Sequence, residues 1–272
     1  MAMRIALDAM GGDKAPLAIV DGAVEAVQEA GGRFQLILVG RQDELERYIS
    51  ESGFSTANIE IVHASEVIGM SESPATAIRR KRDSSIAVAV KLHREGRADA
   101  VVSAGNTGAA VASSLLYLGR IPGIDRPAIA ISYPSRNGGT IVLDGGANSD
   151  NVPKHLVQFA QMGLAYAELI LGREDPRVGL LNIGEEPSKG SELTREAHEM
   201  LAASGLNFAG NVEGRDVIAG TVDVVVTDGF TGNVLLKFTE SVVHYLGSLM
   251  KEGIAGSVRA KIGAGFMRPV LR

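Results

Sequence analysis

The residues with most chemical promise stand in turns that follow apolar runs. Ala98 to Ala109 reads ADAVVSAGNTGA, and Val222 to Asn233 reads VDVVVTDGFTGN. Gly96 matches Gly220, Asp99 matches Asp223, Val101 and Val102 match Val225 and Val226, and Gly105, Thr107 and Gly108 match Gly229, Thr231 and Gly232. No gap is needed, and Ser103 stands opposite Thr227. Each phrase opens as the β-branched run that a buried parallel strand needs, breaks at glycine, and continues as an apolar helical pattern. A strand, a glycine turn and a helix start leave several backbone N–H groups unpaired at one point, which favours an anion. The repetition predicts a duplicated α/β scaffold with its site where the two turns meet. In this reading Gly105, Asn106, Thr107, Gly108, Gly229, Thr231 and Gly232 hold a phosphate.

Three further strand-end turns, at Gly11, Gly145 and Gly184, are expected to join these two along the carboxyl edge of one sheet, where open α/β proteins bind ligands. Lys189 is the one cation inside such a glycine-bearing loop. It either pairs with phosphate or a developing oxyanion, or is a solvated loop lysine. Asn106, Asn148 and Asn233 sit in or beside the turns, as donors to carbonyl or phosphate oxygens or as residues of local turn chemistry. Asp228, where the first phrase has Ala104, either orients Lys189 or a donor, or caps the following turn. Lys189, Asn233 and Asp228 are therefore the catalytic candidates.

Other chemistries fall away. No G-x-G-x-x-G follows a strand, the Gly184 loop lacks the Gly-Lys-Ser/Thr ending of a P-loop, and no G-x-S-x-G is present. Without cysteine there is no thiolate nucleophile or thiolate metal site, and the five histidines show no paired ligand spacing. A covalent intermediate thus has no obvious nucleophile, which points to direct transfer by positioning and charge stabilisation.

The elements that must position these residues can be read in order. Arg4 to Leu7, Phe34 to Val39 and Ile59 to Val62 are strand-like, and helical patterns follow Pro16 and span Gln42 to Ser52, a βαβαβ run that predicts a parallel, doubly wound sheet. Ser73-Pro74 is a helix start, and Ile86 to His93 a helix. Pro127 to Ser132 and Thr140 to Leu143 read as strands, and Pro153 to Leu171 as a long helix. Arg177 to Leu181 runs as a strand into the Gly184 loop, a helix follows Ser191, Phe208 to Val212 is a strand, and Thr231 to Met250 is a helix. No low-complexity linker marks a cut, so residues 1–272 are expected to form one intertwined domain.

The chain has 272 residues, a net charge of −5, 45% hydrophobic and only 4% aromatic residues, with no tryptophan. It is long enough for a large core, and its charge and scarce aromatics argue against nucleic-acid binding. No apolar run reaches the ~18 residues of a membrane span, and the N-terminus lacks a signal-peptide pattern. Arg79, Arg80, Lys81 and Arg82 form a dense basic run, either a solvated face or a contact for an acidic macromolecule. At residues 253–272, Ile254, Val258, Ile262, Phe266 and Val270 recur every fourth residue, joined by Met267 and Leu271. From Lys251 onward, Lys251, Arg259, Lys261, Arg268 and Arg272 stand against one acid, Glu252. This basic amphipathic tail either lies on an anionic membrane or packs on protein, and Gly263, Gly265 and Pro269 weaken it as a helix.

Several stretches together resemble the PlsX family of phosphate acyltransferases of bacterial phospholipid synthesis. They are ALDAMGGD at 6–13, SESPATAIRRKRDSSIAVAV at 71–90, GRADAVVSAGNTGA at 96–109, LDGGAN at 143–148, GLLNIGEEPSKG at 179–190, GNVEGRD at 210–216 and VDVVVTDGFTGNVLLK at 222–237. The resemblance covers the whole chain. It implies transfer of a long-chain acyl group from acyl carrier protein to inorganic phosphate, giving acyl phosphate, on a three-layer α/β/α fold like that of isopropylmalate dehydrogenase, without dinucleotide or other cofactor. It also implies a homodimer, attached from the cytoplasm to the inner face of the plasma membrane, where a membrane glycerol-3-phosphate acyltransferase takes the product. Family members continue for several tens of residues with another glycine-rich, strand-forming segment, so a C-terminal part is expected to be missing here. The alternatives are a phosphotransacetylase-like enzyme using coenzyme A, a non-catalytic subunit binding membrane or acyl carrier, and an NAD-linked oxidoreductase, which the absent fingerprint disfavours.

Overall fold

A computed structural model describes residues 2–52 and 58–267. The chain divides into two compact units, Met1–Pro122 and Gly123–Arg272.

The first unit follows the alternating pattern of its sequence. Strands β1 (Met3–Asp8), β2 (Phe34–Gly40), β3 (Ile59–His63) and β4 (Ala100–Ser103) form a parallel sheet in the order β3-β2-β1-β4. Helices α1 (Leu17–Ala30) and α2 (Gln42–Ser52) connect the first three strands, and α3 (Pro74–Arg80) and α4 (Ser85–Arg94) lead to β4. α5 (Thr107–Tyr117) follows. Alternation along the strands splits the core in two. Leu36 and Leu38 pack with Val20, Val24, Leu45 and Ile49 of α1 and α2, whereas Ile37 and Val39 pack with Ala89 and Leu92 of α4. The sheet is therefore covered on both faces, the three-layer arrangement of a doubly wound fold.

The second unit repeats the plan with five strands. β5 (Ile131–Tyr133), β6 (Thr140–Leu143), β7 (Val178–Leu181), β8 (Phe208–Val212) and β9 (Val224–Val226) take the order β5-β6-β9-β7-β8. α6 (Pro153–Leu169) and α7 (Glu192–Ala203) cover one face through Leu156, Phe159, Leu164 and Leu201. On the other face α8 (Gly214–Ala219) contributes Val217 to the core, and Leu235 of α9 (Gly229–Ala255) packs against it. α10 (Val258–Met267) ends the described chain.

Two expectations need correction. The five glycine turns do not share one sheet: those at Gly11 and Gly105 belong to the first unit's sheet, and those at Gly145, Gly184 and Gly229 to the second's. The cause is strand pairing, since among the described residues β4 bonds only to β1, and the next strand, β5, pairs with β6. The second concerns β5, which is only three residues long where the run from Pro127 to Ser132 suggested a longer strand; its pairing with β6 is antiparallel.

The duplication is visible at the start of the matched strands. Asp99 accepts the Arg4 backbone N–H at 2.8 Å, and Asp223 accepts that of Arg177 at 2.9 Å. Each aspartate precedes its own strand and ties down the start of the strand beside it, β1 or β7, fixing the parallel register there.

Candidate active site

In each sheet the strand order reverses beside the duplicated strand. In the second unit the chain passes from β7 outward to β8, then returns to lay β9 on the other side of β7. α7 and α8, which make these connections, lie on opposite faces. The carboxyl ends of β7 and β9 thus border a topological switch point, where open α/β sheets leave a crevice. A cleft of about 470 Å³ opens there. Leu181 at the end of β7 and Asn182 and Ile183 after it line the cleft, with Gly190, Ser191 and Thr194 at the start of α7, Thr227 and Asp228 after β9, and Val234, Leu235 and Phe238 from α9.

This cleft joins the Gly184 loop to the second duplicated turn. Lys189 is exposed and stands next to the lining residue Gly190. Glu185 of the same loop pairs with Arg215 at 2.8 Å. Among the described residues, no carboxylate is paired with the Lys189 ammonium. Thr231 lines the cleft, whereas Asn233, exposed one turn into α9, is not among its lining residues and has its Cβ against Gly146 after β6.

The second turn is tighter than the matched sequences suggest. Asp228 is the N-cap of α9: it accepts Thr231 N at 2.9 Å and the Thr231 hydroxyl at 2.7 Å. Gly229, Thr231 and Gly232 therefore form the first turn of the helix. Gly229 and Gly232 are buried, and a side chain would strike the backbone carbonyl of Asn148 at Gly229 and that of Asp144 at Gly232. Their glycine identity is a demand of close backbone approach. In the first unit the helix starts at Thr107 instead. Asn106 caps it by accepting Ala109 N at 3.1 Å, while its amide donates to the carbonyls of Met70 and Glu72, both at 3.1 Å. Gly105 there lies against Gly11, and Gly108 against Pro74. The neutral cap leaves the start of α5 without the negative charge that Asp228 brings to α9.

Asn148 is nearly buried, and its amide nitrogen is fully engaged, donating to Pro127 O at 2.7 Å and to Asp144 at 2.8 Å. Asp144 itself was given no role by its sequence setting. It is fully buried and accepts backbone N–H bonds from Ile129, Gly146, Ala147 and Asn148, at 2.8–3.1 Å. In the first unit, buried Asp8 accepts the Ser103 hydroxyl at 2.7 Å, and Ser103 in turn accepts Gly105 N at 3.1 Å. Both aspartates follow a leucine at a strand end just before a glycine turn, as Leu7-Asp8 and Leu143-Asp144. That shared dipeptide was the available signal.

The basic run is split by the fold. Arg79, Arg80 and Arg82 are exposed, but Lys81 bonds Glu72 at 2.6 Å and the Val67 carbonyl at 2.8 Å. The Gly69 N–H and the Lys81 ammonium hold the Glu72 carboxyl below the usual carboxylate range. In the tail, the helix breaks at Gly256 and Ser257. Ile254 belongs to α9, whereas Val258, Ile262 and Phe266 of α10 are exposed, Phe266 by 83%. Arg268, Pro269, Val270, Leu271 and Arg272 lie outside the described residues. Among the described residues no helix is long and apolar enough to cross a membrane, and no cluster of His, Asp and Glu is grouped to hold a metal ion.

An α/β chain whose largely parallel sheets leave a cleft at a switch point shares its fold with solved phosphotransacetylases. A phosphotransacetylase from Streptococcus pyogenes superposes with a TM-score of 0.65 over 89% of this chain and 82% of that one, at 18% identity, which is a likeness of fold. The sequence carries the identification further. The family described as "Fatty acid synthesis protein" matches residues 3–272. A phosphate acyltransferase of Heliobacterium modesticaldum is 55% identical over 99% of this chain and 80% of its own length, and one of Desulfitobacterium hafniense is 51% identical over the same shares. The chain belongs to this fatty acid synthesis family, as a phosphate acyltransferase. It is an enzyme that transfers an acyl group to phosphate, and it spans about 80% of the length of these relatives.

Proposed function

We propose that the acyl donor is the thioester of acyl carrier protein and that transfer takes place at the β7–β9 cleft. The observation that carries this reading is the cleft itself. It sets the Lys189 loop and the start of α9 against an apolar wall of Leu181, Ile183, Val234 and Phe238, which suits the first carbons of an acyl chain. A phosphate oxygen attacks the thioester carbonyl carbon, and the C–O bond forms as the carbonyl becomes an oxyanion. Collapse of that intermediate breaks the C–S bond and releases thiolate. A thiol pKa of about 8.5 means that this leaving group needs little protonation. Lys189 and Asn233 stabilise the oxyanion or orient phosphate, and Asp228 holds the helix start that presents Thr231. The backbone around Gly105, Asn106, Thr107 and Gly108 is a second anion-binding turn.

Arg79, Arg80 and Arg82 suit the acidic carrier protein. Exposed Phe238, Val242, Tyr245 and Leu249 recur at heptad-like spacing along α9, which suits packing against a second copy in a homodimer. Ile254, Val258, Ile262 and Phe266, with Arg259 and Lys261 beside them, suit peripheral contact with the inner face of the plasma membrane. There a membrane glycerol-3-phosphate acyltransferase would consume the acyl phosphate.

The test compares acyl carrier thioester with acyl-coenzyme A of the same chain, each with and without phosphate. The expected outcome is acyl phosphate formed one-for-one with released carrier thiol, only when phosphate is present. Faster turnover with coenzyme A overturns the donor assignment. Liposome binding without phosphate-dependent cleavage would leave only a binding subunit.

A further inference from the structure

The turn from Glu186 to Lys189 is held at its two ends by two asparagines, one at the Lys189 carbonyl and one at the Glu186 carbonyl. Asn182, just after β7, donates from its amide nitrogen to the Lys189 carbonyl at 3.1 Å, while its oxygen accepts Ile183 N at 2.8 Å. Asn211, on β8 and only 7% exposed, donates to the Glu186 carbonyl at 2.8 Å. That same carbonyl accepts the Lys189 N–H at 3.0 Å. The Asn211 amide can be oriented on chemical grounds. A carbonyl only accepts, so the NH₂ group must face Glu186, and the amide oxygen faces His198 Nδ1 at 3.0 Å. His198 Nδ1 therefore carries a proton, and its ring is set edge-on to Phe208 at 5.2 Å. Gly190 completes the clamp. Its φ is +93°, and a side chain there would occupy the place of the Asn182 amide.

We propose that Asn211 and Asn182 are positioning residues for acyl transfer: they fix the direction in which Lys189 leaves the backbone, and so where its ammonium meets the reacting carbonyl. This rests on the reading that Lys189 acts on that carbonyl or on phosphate. Small displacements of such a group are costly, because its stabilisation depends on a preorganised geometry.

The experiment is a double-mutant cycle. Asn211→Ala is measured alone and in a Lys189→Ala background, for kcat, for KM of the thioester and for melting temperature. Asn211→Ala is expected to lower kcat about tenfold, with KM changed less than about twofold. In the Lys189→Ala background that loss should vanish, while the change in melting temperature stays the same. An equal fall of kcat in both backgrounds, or no fall in either, overturns the proposal and leaves the asparagines as loop supports. If Asn211→Ala fails to fold, Asn182→Ala carries the same cycle from the other side of Lys189. Full turnover by Lys189→Ala alone is a separate failure: it removes the reading of Lys189, and this proposal with it, before either asparagine is changed.

Discussion

Asp228 shows how one residue separates the two halves of the duplication. Its carboxylate caps α9 and so starts that helix at Gly229, whereas α5 starts at Thr107, beyond the residues matching Gly229 and Phe230. Replacing a capping aspartate with alanine typically costs about 1 kcal/mol. Asp228→Ala should therefore lower the unfolding free energy by about that amount, and Asp228→Asn, which can still accept Thr231 N, should lose only a fraction of it; denaturant titration reads both. If Asp228→Asn also loses most of its turnover while keeping its stability, the carboxylate acts in the reaction as well as in the cap. The cap was one of two readings open from the sequence. The roles of Asp8 and Asp144 were not legible, because a carboxylate beside glycine looks like any loop acid until burial and convergent N–H groups are seen. Asn182 and Asn211 escaped notice for the same reason: their partners are backbone atoms up to 25 residues away.

At the scale of elements, periodicity located most helices and strands closely. α2 was expected at Gln42 to Ser52 and is found there, since an isolated amphipathic pattern bounded by glycine and polar residues leaves little choice. The misses are short or context-dependent. α8 has six residues and no period of its own, and β5 is set by its antiparallel partner rather than by its apolar run. The close approach of α9 to the loop after β6 makes Gly232 sensitive. Gly232→Ala forces a methyl group against the Asp144 carbonyl and should destabilise the fold by about 1–3 kcal/mol, read as a lowered melting temperature. The tie at the start of β4 has a pH signature. The Arg4 guanidinium and backbone N–H bond Asp99 and hold its carboxyl below the usual range. A depressed folded-state pKa contributes stability above the unfolded value, and that stability is lost as pH falls through the folded one. The melting-temperature gap between wild type and Asp99→Asn should be widest at neutral pH and close below the ordinary carboxylate range; a gap constant with pH would contradict the ion pair's role.

For the whole molecule, the sequence conveyed a duplicated, largely parallel α/β design, but the matched phrases could not say that their strands belong to separate sheets, because pairing partners lie far along the chain. α9 extends over 27 residues, about 40 Å at 1.5 Å per residue, with Phe238 67% and Tyr245 63% exposed. If a second copy covers this stripe, the protein sediments as a dimer, and Tyr245→Glu with Leu249→Glu shifts it to monomer; a mass that the two substitutions leave unchanged would contradict packing of a second copy on this stripe. Acyl transfer at the β7–β9 cleft depends on the Lys189 loop at its edge. The most direct test of that dependence is the single-turnover rate of acyl phosphate formation by Lys189→Ala, at saturating phosphate and acyl carrier thioester. Loss of one oxyanion-stabilising group should slow that rate by about 10²–10³-fold with the fold intact. A variant that turns over at the wild-type rate would contradict the account.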